Sequence, residues 1–81
     1  MKYPNGVHKY KIDEDIVYAE YMGKQNGFEC CICGKGHNAY TFNILHGKDE
    51  EECLANYAND DYETWGFGVE HLNDYVKLLE D

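Results

Sequence analysis

The sequence predicts an α+β fold in which a small antiparallel sheet of three to four strands, drawn from residues 7 to 45, is covered by two C-terminal helices near 49–58 and 69–80. Three patterns predict it. Tyr40, Phe42 and Ile44 alternate with Thr41, Asn43 and Leu45, the period-two signal of a strand. Cys53, Leu54, Tyr57 and Ala58 recur at helical spacing behind the acidic run Asp49 to Glu52. Val69, Leu72, Val76 and Leu79, supported by Tyr75, repeat the helical pattern after Gly68.

Taken in order, Val7 to Ile12 places Tyr10 and Ile12 on one side and Lys9 and Lys11 on the other, which reads as a short edge strand. Ile16 to Met22 is rich in β-branched and aromatic residues and reads as a strand, although Asp13-Glu14-Asp15 before it also suits a helix start. Gly23 to Gly27 reads as a turn, its Asn-Gly pair supplying the positive φ angles of tight hairpins. Phe28 to Ile32 is the expected strand partner of Ala39 to Leu45, folded back through residues 33–38. Asp49 offers a helix N-cap with Glu52 three residues later and a carboxylate-rich first turn. Asn59 to Gly68 reads as a connecting loop in which acidic, aromatic and glycine residues interleave.

The 81 residues suit one domain, 1–81, with no room for a second core or a large internal cavity. The apolar fraction of 43% is too high for a disordered tail, and no run approaches the roughly 20 apolar residues of a membrane span. Met1 to Gly6 has no apolar stretch of the signal-peptide kind, so a cytoplasmic protein with reduced cysteines is expected.

Absences narrow the chemistry. The chain has no serine, which removes serine-based hydrolytic mechanisms, and no arginine, which removes the bidentate fork that grips phosphate and guanine edges. Direct binding of nucleic acid is therefore not expected, and no residue set reads as catalytic. The net charge is +1 over residues 1–48 and −10 over residues 49–81. Such a field attracts a basic partner and repels nucleic acid and anionic membranes; carboxylates that merely keep a small domain soluble are the plainer explanation.

Cys30-Cys31-Ile32-Cys33-Gly34-Lys35-Gly36-His37 concentrates the remaining chemistry. Cys30 and Cys33 bracket two residues and precede a glycine, which resembles the knuckle of zinc ribbons and treble clefs, where a tight turn aims two thiolates at one point. Zinc needs four donors at about 2.0–2.3 Å. His37 is the nearest third; Cys53 is taken as the fourth, with His46 and His71 as alternatives. Against the metal site stand two other readings, cysteines buried as small hydrophobes and a Cys30–Cys33 redox pair.

Recognition is expected at Asp60, Asp61, Tyr62, Glu63 and Trp65, with Glu50 and Glu51 extending the acidic surface. Helix capping explains Asp49 to Glu52 but not the loop carboxylates, and the aromatics are rigid apolar anchors of the kind that dominate interfaces; Trp65 and Phe67 equally suit the core. Small size, acidity and the lack of a catalytic constellation make the chain similar in kind to phage-encoded inhibitors, anti-CRISPR and anti-restriction proteins among them. These present carboxylates where phosphates would lie. The likeness is one of size and charge and covers no motif. It implies a basic protein partner, a nucleic-acid-binding enzyme or defence protein. A zinc-stabilised adaptor or transcription-associated interaction domain is the alternative.

Overall fold

Alternation of side chains about a central strand generates the architecture seen in the computed structural model, which describes residues 3–34, 36 and 38–79. The strands are β1 (Val7–Ile12), β2 (Asp15–Gln25), β3 (Ala39–Leu45), β4 (Tyr62–Phe67) and β5 (Val76–Leu78), and the helices are α1 (Glu50–Ala58) and α2 (Val69–Tyr75). They form one antiparallel sheet of five strands in the order β4-β3-β2-β1-β5. The α+β class is as predicted; the strand count exceeds the expected three to four.

β1 and β2 form a hairpin in which Ile12 pairs Asp15. The two residues between them turn the chain, Asp13 adopting a φ of 57°, a left-handed conformation that Asp tolerates. β2 runs through the predicted turn: Gly23 to Gln25 remain in the ladder with β3, beyond an irregularity between Tyr21 and Gly23. Only Asn26-Gly27 turns the chain, with Gly27 at a φ of 76°.

The expected pairing of Phe28–Ile32 with β3 does not form. β3 lies between β2 and β4 instead, and residues 31–33 make a turn. The predicted loop 59–68 contains β4, whose alternation is disguised by Glu63 and Gly66. The second helix stops at Tyr75, short of the predicted 69–80, because Val76 turns extended and pairs Ile12 in β1.

One sheet face holds the core. Tyr10, Ile12, Ala19, Phe42, Ile44 and Phe67 are buried there under Leu72 of α2, with Val76 of β5. Phe42 sits at its centre, with ring centroids of Tyr3, Tyr10, Tyr21 and Phe67 between 5.1 and 6.1 Å away. These aromatic pairs meet tilted or edge-on, the favourable arrangement. The alternate residues of β3 face the other way, where Tyr57 of α1 donates to Glu20 and accepts from Asn43 Nδ2 at 3.0 Å. The helices therefore lie on opposite faces rather than forming one covering layer. Of the α1 residues expected to face the sheet, Cys53 is buried and Tyr57 half-buried, while Leu54 and Ala58 are exposed. Val69 and Leu79, expected on the buried stripe, are likewise exposed.

Candidate metal centre and acidic edge

Asn26-Gly27 sends the chain from β2 across the end of β4 rather than into a hairpin. Gly34, at a φ of 74°, closes the knuckle by donating its N–H to the Cys30 carbonyl at 2.7 Å. Cys31 donates to the Gly66 carbonyl at 2.8 Å, which ties the loop to β4. Gly66 permits this approach: a Cβ there would lie 2.5 Å from Phe28 Cδ1 and 2.8 Å from the Glu29 carbonyl oxygen.

Cys30 is buried and Cys33 exposed. Burial alone would raise the Cys30 thiol, but N–H groups of Gly68, Cys33 and Ile32 and the Cys33 side chain stabilise its thiolate, so its pKa lies below the ordinary value. Backbone donors favouring the thiolate are what a metal-binding knuckle requires. Gly68 begins α2, whose first turn carries His71.

The sulfurs of Cys30 and Cys33 and a ring nitrogen of His71 all lie within 4.8 Å of one another. Ligand atoms of tetrahedral zinc sit roughly 3.5–3.8 Å apart, so a small contraction brings these donors to bonding positions. The cluster can hold a metal ion. Cys30 also lines an open cleft of about 460 Å³ with Lys24, Asn38 and Glu70, which gives access from solvent.

The structure thus joins Cys30 and Cys33, as predicted, to His71, which the sequence offered only as an alternative fourth donor. His37 lies outside the described residues. Cys53 is not part of the cluster. It is buried on α1 against Gly47, where a Cβ would come 3.0 Å from its sulfur. The cleft it lines includes Leu45 at one end of β3, while the knuckle packs near Ala39 at the other. Those strand ends are about 20 Å apart, at roughly 3.4 Å per residue. Burial, together with Asp49, Glu52 and Glu50, raises the Cys53 thiol, so it behaves as a small core side chain.

The predicted recognition residues lie along α1 and β4. Asp49 caps α1 by accepting from Glu52 N at 2.8 Å, and Glu52 Oε1 accepts from Lys48 N at 2.9 Å, while Glu50 and Glu51 remain exposed. At the far end Asp60, at a φ of 63°, makes the tight exit, and Asp60 and Asp61 donate their N–H groups to the carbonyls of Tyr57 and Asn56. Both side chains are exposed. Tyr62 packs edge-on against Tyr57 at 4.9 Å. Trp65 packs against the core half-buried, and its Nε1 donates to Glu63 at 3.3 Å. Glu63 also faces His46 Nε2 at 3.1 Å.

Among the described residues the ion pairs are His46–Glu63 and His71–Glu70; none involves a lysine. The carboxylates of α1 and β4 are therefore uncompensated by lysine. Among the described residues no helix is long and apolar enough to cross a membrane. No protein family, curated protein or solved structure matches the chain.

Proposed function

We propose that this chain is a protein-binding domain, not an enzyme, that applies its acidic α1–β4 surface to a basic protein surface otherwise occupied by nucleic acid, and that a structural zinc ion staples its knuckle to α2. The observation that carries the binding reading is the set of carboxylates without lysine partners at Glu50, Glu51, Asp60 and Asp61. An uncompensated surface of one sign steers a partner of the opposite sign and gives binding that weakens with salt.

Zinc is the ion favoured by two thiolates and an imidazole. Its role is to hold the knuckle against α2. The residues contributing that hold are Cys30 and Cys33 from the knuckle and His71 from a helix too short to persist alone.

The test is charge reversal. Replacing Asp60, Asp61 and Glu63 together by lysine should weaken binding to a basic partner captured from the native cell. Replacing Asp13, Glu14 and Asp15 should change it little, because charges outside an interface are screened beyond about 8 Å at physiological salt. Equal binding by both triple variants would leave the acidity as a solubility device. The donor cluster also favours a second reading, a zinc-stabilised adaptor or transcription-associated domain whose partner keeps its nucleic acid.

A further inference from the structure

We infer that the outer edge of β4, at Tyr62 and Thr64, pairs with an extended basic segment of the partner, which adds to the sheet as a further antiparallel or parallel strand. The inference rests on the acidic-surface reading and deepens it by naming the form in which the partner engages.

β4 is an end strand of the sheet, with β3 on one side only. The Gly66 carbonyl points away from β3, since it accepts from Cys31 N. In an antiparallel ladder the N–H and C=O of one residue point to the same side, and the side alternates along the strand. The groups of Thr64 and Tyr62 therefore point outward with those of Gly66. Among the described residues no backbone group outside the sheet ladder bonds to those of Thr64 or Tyr62.

The Cys31–Gly66 bond shows that an outward carbonyl of this edge accepts a donor from a segment outside the sheet where one reaches it. Tyr62 to Phe67 contains neither lysine nor proline, so the one charged side chain on this edge, Glu63, is acidic. Asp60 and Asp61 lie immediately before it and Glu63 within it, so an incoming strand that carries lysine or arginine is matched in charge. Backbone bonds would supply affinity and the carboxylates the selection for basic sequence.

The probe is an acetylated, amidated hexapeptide of alternating lysine and valine, with a glutamate–valine peptide as control. Binding is read by fluorescence of Trp65, the sole tryptophan, and by amide hydrogen exchange. The basic peptide should slow exchange at Tyr62 and Thr64, whose N–H groups face outward, and leave Glu63 and Trp65, already facing β3, unchanged. Thr64→Pro removes one outward donor and should weaken the peptide roughly fivefold to tenfold relative to Thr64→Val, which keeps it.

Exchange slowed at all four amides or at none, equal binding by the two Thr64 variants, or no binding of the basic peptide would each overturn edge pairing. If the Asp60, Asp61 and Glu63 reversal still abolishes partner binding in that event, the acidic-surface reading stands without it. The exchange pattern needs only the unmodified protein, so a Thr64→Pro chain that fails to fold leaves the inference decidable.

Discussion

Tyr10 is fully buried, and its hydroxyl is the buried side-chain polar atom that finds no hydrogen-bond partner among the described residues. Burial, with Tyr3 nearby, pushes its pKa up to about 12. Removing an unsatisfied buried hydroxyl while keeping the ring should cost nothing, so Tyr10→Phe should leave the urea midpoint unchanged or raise stability by up to about 1 kcal/mol. The pH dependence follows from the raised value. Below pH 10 both states keep the phenol neutral; above it the unfolded chain releases the proton first, so stability is lost as pH climbs from 10 to about 12. Tyr10→Phe should therefore lose less stability over that window than the parent chain. Gly66 is constrained differently. Gly66→Ala drives a Cβ into Phe28 and the Glu29 carbonyl and should destabilise by roughly 1–3 kcal/mol, read from the same midpoint.

The cluster of Cys30, Cys33 and His71 belongs to the scale of elements, because it joins a loop to a helix. Cys33→Ala and His71→Ala should each lower the zinc content of protein purified without chelator from about one ion per chain, while Cys53→Ala should retain it, as elemental analysis will report. Chelation should speed amide exchange in residues 28–34 and 69–75 and spare β1 to β3, whose ladder and aromatic core need no metal. An unchanged melting profile with chelator would return the cysteines to a packing role. The two thiol donors were legible in the sequence because their spacing is local, and the Asp49 cap for the same reason. His71 was not singled out, since only the path of β4 and α2 brings it back to the knuckle. β3 was read correctly from its clean alternation. β4 was missed because edge strands tolerate acidic residues and glycine that look like a loop, and β5 because Val76 also fits a helical stripe. The Phe28–Ile32 strand failed because the knuckle demands a turn where β propensity favours extension.

At the scale of the molecule, charge is divided along the chain between +1 over residues 1–48 and −10 over residues 49–81, and part of that division reappears across the sheet. Lys9, Lys11 and Lys77 lie on β1 and β5 at one side of the sheet, whereas Asp60, Asp61 and Glu63 lie at β4 on the other. Affinity for a basic partner should accordingly fall as salt rises, as it does for nucleic acid on the same kind of surface. Competition decides most directly between masking and simple adaptor binding. The captured partner, loaded with this chain, is titrated with DNA or RNA at several salt concentrations. Mutual displacement is expected, with the chain and the nucleic acid excluding one another and both weakening as salt increases. A ternary complex in which the two bind together without interference would contradict it.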